Sequence, residues 1–347
     1  MYCWVKSSLS VIQEDFTVPF ISDSYKTQIQ NNGTFGDCGF SVAAYNSRKV
    51  TLGIVRQMID FTNRQHEKLM SHQRKPLKIG AVSYLNSKPL IEGLHDLSDD
   101  AELILDVPSQ LADDLGNGLL DVALIPSVES FLDSAYEIVS DACVATHGPV
   151  LSVKLYSRVH PGDIKTLALD EGSRTSAALS QILLNEQYGV QPQIQKLPLD
   201  KSTQDTNADA ILLIGDRAMQ SPAEKFHTTW DLGEEWVNWT GLPFVFAMWV
   251  TRQETDLADI PQQLSNARNL GLEEIERIAD EGANLLKLRY ETTYRYLTQN
   301  LHFRLGAAER AGLKLFQELA VQNGFAPDAP VRFRSRNSIK QKELILN

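Results

Sequence analysis

A short apolar strand that ends abruptly in small polar side chains most constrains what this chain can fold into. It lies at Lys78–Leu90, where Ile79, Ala81 and Val82 supply the strand. Polar residues follow at its carboxyl end, and Pro89 suits the first turn of a helix. In open α/β sheets small ligands bind beyond the carboxyl ends of the strands. The junction therefore predicts a site for a small polar molecule.

The same order of strand and helix recurs along the chain and indicates parallel α/β units. After a strand at Glu102–Val107, Ser109 is a candidate N-cap for a helix that ends near Gly116, and a strand at Asp121–Pro126 follows. Further strands are predicted at Leu151–Ser157, Thr166–Leu169, Ile194–Leu197, Ala210–Ile214 and Leu242–Val250. Long helices are predicted at Leu272–Leu297 and Gly306–Gln322. The fold class is α/β, with two lobes and a cleft between them.

The chain has 347 residues, enough for two domains of ordinary size. Residues 1–75 lack the regular pattern, and we expect a poorly ordered leader there. Two readings stay open: sequence upstream of a later initiator at Met58 or Met70, or a real extension that docks on the body. Residues 331–347 carry several arginines and lysines without a core pattern, which is typical of a frayed basic tail.

Composition excludes several classes of protein. The formal net charge of −11 argues against a nucleic-acid partner or an anionic membrane surface. No apolar run of about 18 residues and no secretory signal are present, so a cytoplasmic protein is expected. The three cysteines, Cys3, Cys38 and Cys143, form no CxxC pair and no metal-binding spacing with histidine. We therefore expect no metal site and no disulfide framework.

Asn86 is the leading candidate for chemistry at the first strand end. Its amide can donate and accept hydrogen bonds at once, and so can orient a hydroxyl or stabilise a developing negative charge. The alternative is a turn residue chosen for its tolerance of unusual backbone angles. Ser83, Tyr84 and Ser87 are its polar neighbours and candidate ligand contacts.

A second candidate is the segment Ser173-Arg174-Thr175-Ser176, which lies between a predicted strand and a helix. Backbone N–H groups and hydroxyls at such a junction can bind an anion, and the helix dipole adds to the attraction. Arg174 could pair bidentately with a carboxylate. The alternative is a capped helix with a surface arginine. The spacing of a nucleotide-binding P-loop is absent.

Two serines near strand ends, Ser127 and Ser152, could reach a cleft, or could satisfy themselves on nearby backbone. Neither lies in a GxSxG elbow, so a hydrolase triad is not supported. Pro243 and Phe244 lead into a strand and could form one wall of the cleft. His147 is the histidine nearest a candidate site, but a lone histidine is more often structural than a catalytic base.

These motifs together resemble the chorismate dehydratases of the futalosine route to menaquinone. The resemblance spans residues 76–325 in unbroken order and excludes the leader and the tail. Its motifs are Val82–Leu90, Leu119–Ser127, Gly148–Val153, Ser173–Ser176 and Trp239–Ala247. Singly each is weak, and as a set they are specific.

The resemblance implies the fold of type II periplasmic binding proteins. Lobe one would comprise residues 76–158 and 246–325, and lobe two residues 159–245. The chain would cross between lobes near Tyr156–Pro161 and Phe244–Arg252. The family is cytoplasmic and needs no metal or redox cofactor.

The resemblance also implies a reaction, loss of water from chorismate to give 3-[(1-carboxyvinyl)oxy]benzoate. The family's catalytic asparagine maps onto Asn86. Its catalytic serine maps onto Ser152, with Ser127 as the second choice. The expected substrate contacts are Ser83, Tyr84, Ser87, Ser109, Ser127, Ser173, Arg174, Thr175, Ser176, Pro243 and Phe244.

Two alternatives stay open. One is a binding protein of the same fold that captures an anionic solute without chemistry. The other is the related dihydroxynaphthoate synthase, whose N-terminal motif contains glycine and cysteine, unlike the Tyr-Leu-Asn-Ser-Lys-Pro run here.

Overall fold

Two β-sheets organise the chain in the computed structural model of this protein, which describes residues 76–94 and 101–334. The leader 1–75 and most of the predicted tail, 335–347, lie outside the described residues. The strands are β1 (Leu77–Val82), β2 (Ala101–Asp106), β3 (Val122–Pro126), β4 (Tyr136–Thr146), β5 (Val153–Ser157), β6 (Thr166–Asp170), β7 (Gln193–Leu197), β8 (Ala210–Ile214), β9 (Thr228–Asp231), β10 (Phe244–Arg252) and β11 (His302–Arg304).

Seven α-helices of the described residues cover these sheets. They are α1 (Pro108–Gly116), α2 (Thr175–Tyr188), α3 (Leu232–Thr240), α4 (Ile260–Glu273), α5 (Ile275–Leu286), α6 (Tyr290–Arg295) and α7 (Ala307–Gln322). None of the helices in the described ranges is long and apolar enough to cross a membrane.

The first sheet has six strands in the order β11-β4-β10-β3-β1-β2. Strand β1 lies parallel to β2 and β3, as the strand–helix–strand pattern predicted. Every residue of β3 is buried, as expected for a central strand covered on both faces. Strand β10 returns late in the sequence and pairs antiparallel with β3 and β4.

The second sheet has five strands in the order β7-β6-β8-β5-β9. Strand β6 lies parallel to β7 and β8, and β5 pairs antiparallel with β8 and β9. Because β5 pairs in this sheet and β10 in the first, the chain passes between the sheets at residues 147–152 and 232–243. Both passages precede the segments Tyr156–Pro161 and Phe244–Arg252 at which they were predicted.

Two helix starts differ from the prediction. No α-helix begins at Pro89 within residues 76–94. That proline instead lies inside a short 3-10 helix at Leu85–Leu90. Ser109 is not an N-cap, because α1 begins one residue earlier with Pro108 in its first turn and Val107 as the cap. A proline suits that position, since the first N–H groups of a helix have no partner within it.

The helix predicted at Leu272–Leu297 is three helices and a π-turn. Lys287 adopts a left-handed conformation, φ 55°, at the end of α5, and α6 begins three residues later. Apolar periodicity continues through this break, so the sequence pattern did not reveal it. A π-helical turn, Tyr296–Asn300, then follows α6. Strands β4, β9 and β11 were also missed.

Candidate active site

A cleft lies where the carboxyl ends of β1, β6 and β8 meet, so that both sheets contribute to its walls. The residues that line it are Val82, Tyr84, Asn86, Pro108, Pro126, Val144, Val150, Ser152, Val153, Gly172, Ser173, Arg174, Thr175, Ser176, Ile214, Gly215, Phe246 and Ala247. Binding beyond strand ends is the behaviour expected of an open α/β sheet. The first and second candidate segments of the sequence thus line the same cleft.

Tyr296, which sequence reasoning missed, links the two side chains assigned to chemistry. Its hydroxyl donates a hydrogen bond to Ser152 Oγ at 2.7 Å, and both residues are fully buried. Burial raises the pKa of Tyr296 well above its usual range, against the opposing hydrogen bonds of Ser152 and Asn86. The phenol therefore stays protonated at neutral pH. Asn86, Tyr296 and Ser152 form one hydrogen-bonded group, called the polar triad below.

Within the polar triad, Asn86 has a free acceptor. Its Oδ1 atom is buried and has no hydrogen-bond partner among the described residues. A buried acceptor without a partner costs about 1–3 kcal/mol, so its retention calls for an explanation. A ligand hydroxyl in the cleft would supply the missing donor.

Ser152 is held by a strained turn. Leu151 has a positive φ of 66°, and the N–H of Ser152 donates to the carbonyl of Val150 at 2.8 Å. An i→i+2 bond around a positive φ is a rare and costly γ-turn. The Asp231 carboxylate fixes it by accepting the N–H groups of Val150 at 2.8 Å and Leu151 at 2.6 Å.

Asp231 also caps α3 by accepting the N–H of Gly233 at 3.1 Å. Burial raises the pKa of Asp231, while its backbone hydrogen bonds oppose the rise. The Asp231 carboxylate thereby fixes the position of Ser152 relative to the second sheet. No sequence motif had singled out Asp231.

Tyr84 spans the cleft at the end of β1. Gly215 has φ 64°, and a Cβ there would lie 2.6 Å from the Tyr84 ring, so only glycine allows this approach. One residue on, the N–H of Leu85 donates to Asp216 Oδ1 at 3.0 Å. Burial, followed by the nearby Asp170 carboxylate, raises the pKa of Tyr84, which keeps its phenol neutral.

The N-terminus of α2 supplies neutral donors to the cleft. Ser173 is buried just before this helix of 14 residues, and Thr175 and Ser176 are buried in its first turn. The helix dipole and the free N–H groups of its first turn favour an anion. Thr175 Oγ1 also accepts the N–H of Val128 at 3.2 Å, which ties this turn to the first sheet.

Arg174 lines the cleft, but its guanidinium already has carboxylate partners. It contacts both carboxylate oxygens of Asp113 at 2.7 Å, and Glu129 at 3.2 Å. The pair joins α1 to the start of α2. An incoming carboxylate would have to compete with Asp113 for Arg174, so the N–H and hydroxyl groups of the turn are the more available donors.

Six of the residues predicted to contact a ligand do not line the cleft: Ser83, Ser87, Ser109, Ser127, Pro243 and Phe244. The Ser87 hydroxyl donates to the carbonyls of Val82 and Tyr84. The Ser127 hydroxyl donates to the carbonyl of Val245 at 2.7 Å. Phe244 is fully buried and its ring packs against Trp236.

The described lining contains no Asp, Glu or His. It offers hydroxyls, an amide and backbone N–H groups against apolar walls, and its one guanidinium, of Arg174, is already paired with Asp113 and Glu129. Such a lining can orient a polar substrate, exclude water and stabilise developing charge. No carboxylate or imidazole, the usual general bases, is among these lining residues.

Comparison with solved structures gives the fold. Protein AF1704 from Archaeoglobus fulgidus matches with a TM-score of 0.58 and 16% identity, over 72% of this chain and 98% of that one. The periplasmic aliphatic sulphonate binding protein SsuA from Escherichia coli matches with a TM-score of 0.51 and 15% identity, over 76% and 95%. The fold is that of periplasmic binding proteins, which confirms the predicted class.

Sequence comparison gives the family. A chorismate dehydratase from Thermus thermophilus is 30% identical over 272 residues, which are 73% of this chain and 98% of that protein. Residues 77–322 match a family described as Menaquinone biosynthesis. This stretch contains both sheets, the cleft and the polar triad. The chain therefore belongs to the menaquinone biosynthesis family.

Proposed function

We propose that this enzyme is a chorismate dehydratase, a hydro-lyase that converts chorismate to 3-[(1-carboxyvinyl)oxy]benzoate and water. The observation that carries the proposal is the convergence of Asn86 and Ser152 on one cleft, through Tyr296. The relative from Thermus thermophilus carries the same name. We also propose that each sheet is the core of one lobe, and that the protein works in the cytoplasm.

Chorismate brings two carboxylates, and the cleft offers a matching anion site at the start of α2. Ser173, Thr175 and Ser176 present hydroxyls and first-turn N–H groups there. We assign one carboxylate of chorismate to this turn. The ring then lies toward the polar triad, with apolar contacts from Val144 and Phe246.

The neutral lining suits a reaction in which the substrate supplies its own base. A proton leaves the ring carbon that carries the ether and passes to the enolpyruvyl carboxylate. That C–H bond is conjugated through a double bond to the ring carboxylate, which takes up the charge. The hydroxyl on the neighbouring carbon then leaves and takes up the proton held by the enolpyruvyl carboxyl, which forms water and restores the carboxylate. Aromatisation drives the step, and the protein supplies positioning and exclusion of water.

The polar triad would hold the ring hydroxyl that leaves. The free Asn86 Oδ1 accepts a hydrogen bond from that hydroxyl and fixes its direction. The oxygen of Ser152 is occupied by the Tyr296 proton, so the hydrogen of its own hydroxyl is free to donate toward the departing oxygen. Donation to an oxygen that gains charge stabilises the transition state more than the ground state.

Incubation of the purified protein with chorismate tests the proposal directly. Mass spectrometry should show consumption of chorismate and an aromatic product lighter by one water. Tight binding of chorismate without a product would contradict the proposal and favour a plain anionic-solute-binding protein. Neither binding nor turnover of chorismate would favour the related dihydroxynaphthoate synthase.

A matched pair of serine variants assigns the chemistry to the cleft. Ser152→Ala should lose most of the turnover. Ser180→Ala should keep it, because the Ser180 hydroxyl is equally buried but donates only to its own helix, to the carbonyl of Ala177 at 3.0 Å. Equal rates in the two variants would remove Ser152 from the reaction.

A further inference from the structure

Three side chains that can bind metals converge outside the cleft. They are His147, His302 and Glu309, whose ligand atoms all lie within 4.8 Å of one another. Both imidazoles direct Nε2 toward Glu309 Oε1, at 2.6 Å for His147 and 3.5 Å for His302. The two rings lie 4.4 Å apart between centroids. None of the three lines the cleft.

The three residues come from separate elements and meet only in the folded chain. His147 directly follows β4, His302 begins β11, and Glu309 is in the first turn of α7. The carboxylate is oriented by its second oxygen, Oε2, which accepts the N–H of Gly306 at 2.9 Å. An anchored carboxylate presents its other oxygen in a fixed direction, which pre-organises a ligand set.

The ligand set suits a divalent transition metal. Two imidazoles and one carboxylate bind zinc and its neighbours in open sites that keep a further position for water. Ligand atoms about 2.0–2.1 Å from a tetrahedral ion lie about 3.3 Å from each other. The two distances to Glu309 Oε1, 2.6 Å and 3.5 Å, bracket that spacing. The ligand atoms of the two imidazoles lie within 4.8 Å of each other, so side-chain adjustment of the exposed rings would complete the site.

Burial and access both favour a bound cation. The side chain of Glu309 is 4% exposed, whereas those of His147 and His302 are 52% and 42% exposed. The carboxylate is therefore shielded and the imidazoles are open to solvent, which gives an ion a path to the site.

We propose that His147, His302 and Glu309 form a binding site for one divalent transition metal ion, with water completing its coordination. Zn²⁺ is the ion used to test the site. The ion would fasten the start of the passage 147–152, which ends at Ser152, to β11 and α7. The site stabilises the folded chain and takes no part in the chemistry of the cleft.

The competing interpretation is a hydrogen bond alone, between Glu309 and a histidine. It predicts a 2.6 Å contact for His147 and assigns nothing to His302. The two interpretations therefore differ in what His302 does, and variants of His302 separate them without disturbing the bond between His147 and the buried carboxylate.

A zinc titration of the full-length, chelator-stripped protein tests the proposal, with a chromophoric chelator as competitor. We expect a one-to-one site whose affinity falls at least about tenfold in His302→Gln and in His147→Gln. Glutamine keeps a donor for Glu309, so the variants should fold. His160→Gln and His227→Gln are matched controls and should bind as the wild type does, because those two rings lie 6.1 Å apart and are not among these ligands.

A second measurement needs no variant. Zn²⁺ should protect His147 and His302 from diethyl pyrocarbonate, read by peptide mass spectrometry, and should leave modification of His160 and His227 unchanged. Affinity in His302→Gln equal to that of the wild type, or modification of both histidines at the same rate with and without zinc, would overturn the proposal. Both assays omit chorismate, so their failure is distinct from failure of the proposed function.

Discussion

At the scale of single residues, the polar triad is the feature on which the proposed chemistry rests. Asn86 and Ser152 follow or precede strands in different sheets, and the Tyr296 hydroxyl joins them. Tyr296 lies in a π-helical turn, a distortion that often occurs at functional sites because it redirects one side chain. The turn aims the phenol into the core between the two catalytic candidates.

Tyr296→Phe tests whether that hydroxyl matters for turnover. It removes the hydrogen bond to Ser152 and should lower kcat about fivefold, the effect of about 1 kcal/mol from one hydrogen bond. Chorismate turnover and thermal unfolding are the measurements. Tyr156→Phe is the matched control, since the buried Tyr156 hydroxyl has no partner among the described residues and its loss should leave kcat unchanged. Equal kcat in both variants would exclude a role for Tyr296.

The sequence indicated part of this site and not the rest, for a physical reason. Asn86 and the Ser173–Ser176 turn could be predicted because ligand sites follow strand ends, a local rule. Tyr296 is 144 residues from Ser152 and is brought there only by tertiary packing. Arg174 was a reasonable anion ligand by type, but the position of Asp113 beside it follows from where the tertiary fold places α1.

At the scale of elements, the contact between the end of β1 and the turn after β8 sets the width of the cleft. Tyr84 rests on Gly215, and Leu85 donates to Asp216 across the same junction. These contacts join a strand of the first sheet to a strand of the second. A substitution at this junction should therefore alter ligand binding without disrupting either sheet.

Gly215→Ala tests that junction. A methyl group would meet the Tyr84 ring at 2.6 Å and would also be strained by φ 64°, so we expect a loss of about 2–3 kcal/mol in stability and a raised KM for chorismate. Gly189→Ala is the matched control, with φ 66° but nothing within 4 Å. It should lose about 1 kcal/mol with an unchanged KM. The same KM in both variants would contradict the role given to Tyr84.

Asp141 links β4 to α4, and its ionisation should make the stability of the folded chain depend on pH. It accepts from the Ser265 hydroxyl at 2.7 Å and from the Arg268 guanidinium at 3.2 Å. Burial opposes its ionisation, but these two bonds outweigh burial and hold the pKa of Asp141 below its usual range. Its contribution to stability is thus fully present above the unfolded pKa of about 4 and is lost as the pH falls below that value.

Asp141→Asn should therefore destabilise the protein at pH 7 by about 1–2 kcal/mol, a modest figure because the carboxylate is 39% exposed and solvent screens it. The difference from the wild type should shrink as the pH falls below about 4. Denaturant unfolding at several pH values measures it. Asp280→Asn on an exposed helix face is the control. A difference independent of pH would show that the charge of Asp141 is not the cause.

Strands and helices were predicted where a local apolar pattern marks them. They were missed where pairing with a distant strand determines the structure. The parallel strands β1, β2 and β3 follow from short connections and apolar runs. Strand β4 was missed because polar residues such as Glu137 and Asp141 interrupt its apolar pattern, although it pairs along its length with β10. The end of α5 at Lys287 has no glycine or proline to announce it.

At the scale of the whole molecule, the fold of a binding protein is combined with a cleft suited to chemistry. The first sheet is built from two distant parts of the chain, and the second sheet lies between them in sequence. That discontinuity could be predicted only through the resemblance, because no local pattern tells a late strand which sheet it will join. The exact passages, 147–152 and 232–243, needed the strand pairing.

The proposal that this cleft catalyses the loss of water from chorismate is tested most directly by comparing binding with turnover in Asn86→Ala. Chorismate affinity and single-turnover rate should be measured on the same preparation, with Asn284→Ala on an exposed helix face as the control. We propose that the free Oδ1 acts on the leaving hydroxyl, so the variant should bind chorismate within about tenfold of the wild type and lose about 10²–10³ in rate. A rate within a few-fold of the wild type would contradict catalysis by this cleft.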